Sequence, residues 1–375
     1  MAFSTREFQD LFNDVGADFR EFPHEHSDTR ALVTMAYWQL KVSASSMAPL
    51  VRDARDRHAD YVLVDASCLW GYALALHLDL PVILLHSTFP SAFQHISHLQ
   101  SIWMDLRRVP SSLPTVIRFL ILDRRFARRW KIPALISPIA LAKPRKGRLH
   151  VVLADGSMQP GRDNAGYRFV GACIRKRGCT RGEPLPPPDG RPLIYISLGT
   201  IWNTRADFYR LCIEAFSDSE YQVLISVGKR VNPESLGPVP EHIHIRQYVD
   251  QIAVLERTAV FISHGGMNSL SEAVNARVPL VLIPQANDQF ALSNAMEQWG
   301  VAIVLSNDSL SVPAIQSATY RAMTDPDIRV RCGTLLDRQQ QLLTGACHAA
   351  NLIVSALQRQ SPDSPQSAPL HQVAR

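Results

Sequence analysis

The sequence predicts an α/β protein of two domains, each built on a parallel sheet, and three observations carry that reading. Apolar strands alternate with amphipathic helices along the chain instead of clustering. One stretch, 178–192 ("GCTRGEPLPPPDGRP"), interrupts the alternation: Pro184, Pro186, Pro187 and Pro188 make it too stiff and donor-poor for helix or sheet. The 375 residues, 46% of them apolar, suffice for two cores of ordinary size. The expected layout is a first domain over 1–180, a linker over 181–192 and a second domain over 193–358. A polar, Pro/Ser-rich tail over 359–375 reads as disordered.

In the first half, "TREFQDLFNDVG" has helical spacing with a glycine stop, "FREF" is a short strand, and residues 31–58 form a long helical region. "YVLVDA", "WGYALALHLD" and "PVILLH" then read as strand, crossover helix and strand, which requires parallel pairing. The second half carries five apolar strands: "PLIYIS", "YQVLISV", "HIHIRQ", "AVFIS" and "PLVLIP". Each leads into glycine or polar residues, among them Gly199-Thr200, Tyr248-Val249-Asp250-Gln251, His264-Gly265-Gly266 and Asp288-Gln289. In an open parallel sheet these strand ends share one edge, where ligands bind.

Composition narrows the function. The cysteines Cys68, Cys173, Cys179, Cys212, Cys332 and Cys347 are scattered without a C-x-x-C pair, the pattern of a reduced, cytoplasmic protein. The most apolar stretch, Tyr61 to Leu85, is interrupted by Asp65, His77 and Asp79, so no membrane span is expected. The net charge of +5 is concentrated: 107–131 holds Arg107, Arg108, Arg118, Arg124, Arg125, Arg128, Arg129 and Lys131 against Asp123 alone. This stretch reads either as a solvated helix face or as a basic amphipathic helix in weak contact with a membrane surface or an acidic substrate. No basic stripe with interleaved aromatics recurs, so no nucleic-acid partner is expected.

The stretch "SHGGMNSLSEA" at 263–273 carries the chemistry. A helix starting near Met267 presents unpaired backbone N–H groups and the positive end of its dipole. Gly265 and Gly266 allow an anion close to the backbone, and His264, Asn268 and Ser269 add donors, which together make a diphosphate site. Glu272 lies one turn beyond Asn268 on the same face, suited to ribose hydroxyls. Asp288 and Gln289 reach the same edge with acceptors and an amide donor for a polyhydroxylated ring. Diphosphate, ribose and sugar in order spell a nucleotide sugar.

"HGGMNSLSEAV…VPLVLIPQANDQ", preceded by "YVDQIAVLERTAVFIS" and followed by "TGACHAANLIV", resembles the donor region of family 1 UDP-glycosyltransferases, bacterial macrolide branch. "YISLGTIWN", "YRFVGACI" and "LVDASCLWGYALALHLDLPVILLHSTF" extend the resemblance over nearly the whole chain. It implies the GT-B fold, two Rossmann-like domains facing across a cleft, with an incomplete N-terminal domain. It adds Thr200 after Gly199 to the diphosphate site, Tyr248 and Val249 facing uracil, and Gln251 orienting the nucleoside. The implied reaction moves a hexose from a UDP-sugar, or a dTDP-sugar, to a hydroxyl of a lipophilic small molecule. It inverts the anomeric centre and needs no metal or other cofactor. Trp70, Phe89 and Phe93 follow strand ends and are expected to line the acceptor pocket. Two departures stand out: Arg277 where the family usually has Gly before Val-Pro, and Asn287 where Gly often precedes Asp-Gln.

The general base is the gap. The family uses a histidine after its first strand, oriented by a strand-end aspartate that Asp65 matches, and Asp65 also suits a helix cap. "MAFSTREF" resembles the family's second strand, so the first strand and Gly-His loop are expected to be missing. A displaced start, a form that binds donor without turnover, and takeover by His24, His26, His86 or His95 all remain open.

Overall fold

In the computed structural model the described residues are 1–22, 32–90, 109–135, 147–158, 166–174, 182–200, 203–285, 288–341 and 345–358. Phe93, Arg107, Arg108, Asn287, Cys179, the histidines His24, His26 and His95, and the tail 359–375 lie outside them.

The second half forms the frame of the candidate site. Strands β7 (Leu193–Ser197), β8 (Gln222–Ser226), β9 (Ile243–Arg246), β10 (Thr258–Ser263), β11 (Leu280–Leu282) and β12 (Ala302–Val304) form one parallel six-stranded sheet in the order β12-β11-β10-β7-β8-β9. β12 is absent from the sequence expectation, because three residues at a sheet edge carry too little periodicity to be seen. Alternation explains the burial. Ile194, Ile196, Val223, Ile225 and Ile262 pack on one face, and Leu193, Tyr195, Leu224, Phe261 and Leu282 on the other. A parallel sheet covered on both faces needs such continuous apolar strands. Each fully buried Val, Leu or Ile contributes about 1.5–3 kcal/mol relative to exposure. Because β10 lies beside β7 in this all-parallel sheet, the strand order reverses between them, and the loops after these two strands flank a crevice at their carboxyl ends.

In the first half, β3 (Val62–Asp65), β4 (Val82–His86), β5 (Leu149–Val152) and β6 (Tyr167–Phe169) form a parallel four-stranded sheet. β1 (Ala2–Ser4) and β2 (Phe19–Glu21) pair in parallel as a separate two-stranded sheet. Helices α1 (Gln9–Asp14), α2 (Leu32–Asp56), α3 (Leu69–Leu78) and α4 (Val109–Trp130) follow these strands, and α2 packs on both α3 and α4.

The second sheet is flanked by α5 (Ala206–Phe216), α6 (Gln251–Leu255), α7 (Met267–Asn275), α8 (Gln289–Gln298), α9 (Val312–Thr324) and α10 (Pro326–Gln341). The last helix, α11 (Gly345–Gln358), corrects the expected layout. Its Ala349, Leu352 and Ile353 pack on Ile83 and Val151 of the first sheet, so the chain returns to the first domain after Gln341. The proline-rich segment lies against the second domain: Pro186 and Pro187 carbonyls accept from Arg257 and the Gln222 side chain. Phe89, Val152, Ala154 and Met158 share one apolar cluster with Leu292, Ala295 and Met296 of α8, so the two halves meet through packed side chains.

Candidate active site

His264 follows the end of β10 and turns back over Gly199, two residues beyond β7. A Cβ on Gly199 would lie 2.6 Å from the His264 ring, and one on Gly266 2.4 Å from its Nε2. Gly265 has φ +79°, and a Cβ there would meet Ser293 Oγ of α8 at 2.4 Å. The His-Gly-Gly glycines are therefore demanded by the protein's own side chains and by a left-handed turn, besides leaving the backbone open to an anion. Burial pushes the His264 imidazole down to about 4, against a smaller opposing hydrogen bond with the Ser197 backbone. At neutral pH the ring is uncharged, with one N–H able to donate and no cation carried.

α7 begins at Met267 with Gly266 as an extended N-cap and no side-chain cap. The first-turn amides are left for an external partner, with Asn268 exposed beside them and Thr200 exposed after β7. Ser269 is buried, its hydroxyl 3.4 Å from Gln251 Nε2. Gln251 Nε2 donates to Glu272 Oε2 at 2.7 Å, while its Oε1 accepts from the Tyr195 hydroxyl at 3.1 Å. Gln251 thus fixes the Glu272 carboxylate to a buried tyrosine that stacks on Phe261 at 4.8 Å between ring centroids. Tyr195 was not among the expected residues: inside an apolar strand its hydroxyl gives no signal of what it will meet.

Asp288 starts α8 and faces the first domain. The Thr88 hydroxyl, just after β4, donates to Asp288 Oδ2 at 2.6 Å. Burial raises the Asp288 carboxyl, and the Thr88 hydrogen bond opposes that rise. Thr88 was also missed, since a threonine in "STF" is indistinguishable from any turn residue until the second domain is opposite it. Gln289 is buried, and its Oε1 accepts from the Gln285 N–H at 2.8 Å, closing the loop that carries Asp288. Arg205 braces the same loop through Gln285 Oε1 at 2.8 Å and Asn307 Oδ1 at 3.2 Å.

Several expectations need correction. Val249 is buried in the core and offers no side chain to a base. The Tyr248 carbonyl accepts from the Glu183 N–H at 2.8 Å, and its own N–H reaches Glu183 Oε1 at 3.3 Å, so only its side chain is left for stacking. Trp70 stacks on Phe22 at 4.3 Å and meets Phe3 edge-on at 6.2 Å, partly buried against the core of the first domain. Phe89 is fully buried against Phe169 at 6.2 Å and joins the shared interdomain cluster. Asp65 accepts from the Ser67 N–H at 2.8 Å and from its hydroxyl, holding the turn into α3, and no histidine faces it among the described residues. His86 is engaged elsewhere: its Nε2 lies 3.1 Å from His150 Nδ1, with Tyr167 edge-on at 5.2 Å. Arg277 occupies a left-handed position, φ +56°, which is why glycine suits that site.

The comparisons agree with this geometry. Erythromycin biosynthesis protein CIII-like, C-terminal domain, is the family that matches residues 210–341. NDP-glycosyltransferase YjiC of Bacillus subtilis (strain 168) is 34% identical over 294 residues, 78% of this chain and 71% of that protein. The chain belongs to the NDP-glycosyltransferase family. Demethyllactenocin mycarosyltransferase of Streptomyces fradiae is 27% identical to this glycosyltransferase, over 83% of the chain and 66% of that protein. Among solved structures, the glycotransferase of kitacinnamycin superposes with a TM-score of 0.77 at 22% identity, covering 94% of this chain and 90% of that one. The calicheamicin glycosyltransferase CalG4 gives 0.70 at 24%, covering 96% and 91%. The fold is GT-B.

Proposed function

We propose that this glycosyltransferase moves a hexose from a UDP-sugar, or a dTDP-sugar, to a hydroxyl of a lipophilic small molecule with inversion and without a metal. The observation that carries the proposal is the junction of β7 and β10: neutral His264, the uncapped start of α7 and the Gln251–Glu272 pair meet at one switch point. The diphosphate sits on the α7 amides with Asn268, Thr200 and His264, and the ribose hydroxyls donate to Glu272. Tyr248 stacks on the base. Asp288 accepts from the sugar hydroxyls, held by Thr88.

In the reaction the acceptor oxygen passes its proton to solvent water as it attacks the anomeric carbon. The bond from that carbon to the diphosphate breaks, and the electron pair leaves with the nucleotide. The helix dipole and the His264 N–H offset the charge that gathers on the departing diphosphate. The small-molecule acceptor class rests on relatives such as oleandomycin glycosyltransferase of Streptomyces antibioticus, 28% identical over 56% of the chain.

A second reading, donor binding without turnover, is favoured by one observation: Asp65 is engaged by Ser67 rather than by a histidine. Incubating the chain with UDP- and dTDP-hexoses and a panel of lipophilic alcohols, with and without EDTA, separates the readings. Glycoside of opposite anomeric configuration, unaffected by EDTA, supports transfer as proposed. Nucleotide binding with no glycoside and no sugar hydrolysis selects the second.

A further inference from the structure

The outward face of α4 is built unlike an ordinary solvated helix. Its inner face is apolar, with Phe119 and Phe126 buried, and buried Asp123 accepts from the Leu135 N–H at 3.1 Å. On the outer arc Ile117, Leu120 and Ile121 are 50%, 37% and 46% exposed. Those three side chains occupy neighbouring positions one turn apart, so they form one apolar patch and not scattered singles. Arg118, Arg124, Arg125, Arg128 and Arg129 share that arc, all exposed. The arc carries no carboxylate, because the helix's one acid is the buried Asp123. None of these arginines forms an ion pair among the described residues. No described helix is long and apolar enough to cross a membrane, so a lipid contact here would lie along the surface.

We propose that the outer face of α4 docks on an anionic phospholipid bilayer, with Ile117, Leu120 and Ile121 at the acyl boundary and the arginines among the headgroup phosphates. Charge complementarity and apolar exposure on one arc identify this partner. A soluble acidic ligand would satisfy the arginines but leave the three aliphatics in water. A purely solvated face would place polar residues at 117, 120 and 121. At 22 residues the helix is about 33 Å long, enough to lie flat across several headgroups. The inference is independent of the donor site.

Flotation of the full chain with vesicles tests it. Binding is expected to mixed phosphatidylcholine–phosphatidylglycerol vesicles and not to phosphatidylcholine alone, and to weaken as salt rises. The triple variant R124E/R125E/R128E should lose at least about 100-fold in affinity, from roughly fivefold per basic residue. I117S/I121S should lose about tenfold and keep the salt dependence. Unchanged thermal unfolding and unchanged UDP binding verify that the variants are folded. Equal binding to neutral vesicles, or full binding by the arginine variant, overturns the proposal. So does failure to bind either vesicle while the face captures polyglutamate, which would identify an acidic polypeptide as the partner. Wild-type affinity in I117S/I121S overturns the insertion of the aliphatic residues.

Discussion

The Thr88 hydroxyl donates to the Asp288 carboxylate at 2.6 Å, joining a loop of the first domain to the start of α8 in the second. The bond favours the ionised carboxylate in a place where burial favours the neutral acid. It also ties the first domain to the proposed sugar subsite.

Thr88→Val removes that donor and leaves the shape nearly unchanged. The Asp288 carboxyl then rises further, so at mildly acidic pH it is protonated sooner and stops accepting from sugar hydroxyls. Affinity for UDP-hexose should fall about tenfold or more, the size of a lost hydrogen bond to a charged group. Affinity for UDP alone should not move. Parallel calorimetry with UDP and UDP-glucose at neutral and mildly acidic pH checks both.

Gln251→Ala should weaken UDP by about 10- to 100-fold, because Glu272 loses the amide that orients it and Tyr195 loses its acceptor. Tyr195→Phe should cost less, about two- to tenfold, since Gln251 keeps Glu272 in place. An equal loss in both variants would mean that Gln251 holds Glu272 only while Tyr195 holds Gln251.

His264 makes stability depend on pH. Its folded value is about 4, below the ordinary 6.5, so the unfolded chain binds the extra proton between those values. The stabilisation is complete above about pH 6.5 and is lost as pH falls towards 4, up to about 3 kcal/mol. Urea unfolding at pH 7 and pH 5 should show the decline, and His264→Asn should flatten it.

Arg277→Gly should stabilise by about 1 kcal/mol by relieving the left-handed backbone at φ +56°. The exposed 3.5 Å pair with Asp337 that it would remove contributes little. Chemical denaturation gives the sign directly; destabilisation would mean the ion pair outweighs the strain.

The legible parts of this molecule were those whose cause is local. The strand ends in the second half and the helix start at Met267 follow from hydrophobic runs broken by glycine and polar residues. What stayed hidden depends on a partner far along the chain. Thr88 needs Asp288 opposite it, Tyr195 needs Gln251, and α11 needs the first sheet to return to. Phe89 shares this origin: it follows a strand end as pocket residues do, but whether a ring faces a ligand or a core is decided by tertiary neighbours such as Phe169.

The central claim is that the β7–β10 junction holds a nucleoside diphosphate, and calorimetric titration of UDP into the chain tests it most directly. One site per chain is expected, with affinity in the range of about 1 μM to 1 mM, weakened at least about tenfold by Glu272→Ala. Absence of binding by UDP and dTDP alike, or a Glu272→Ala variant that binds as the parent does, would contradict it.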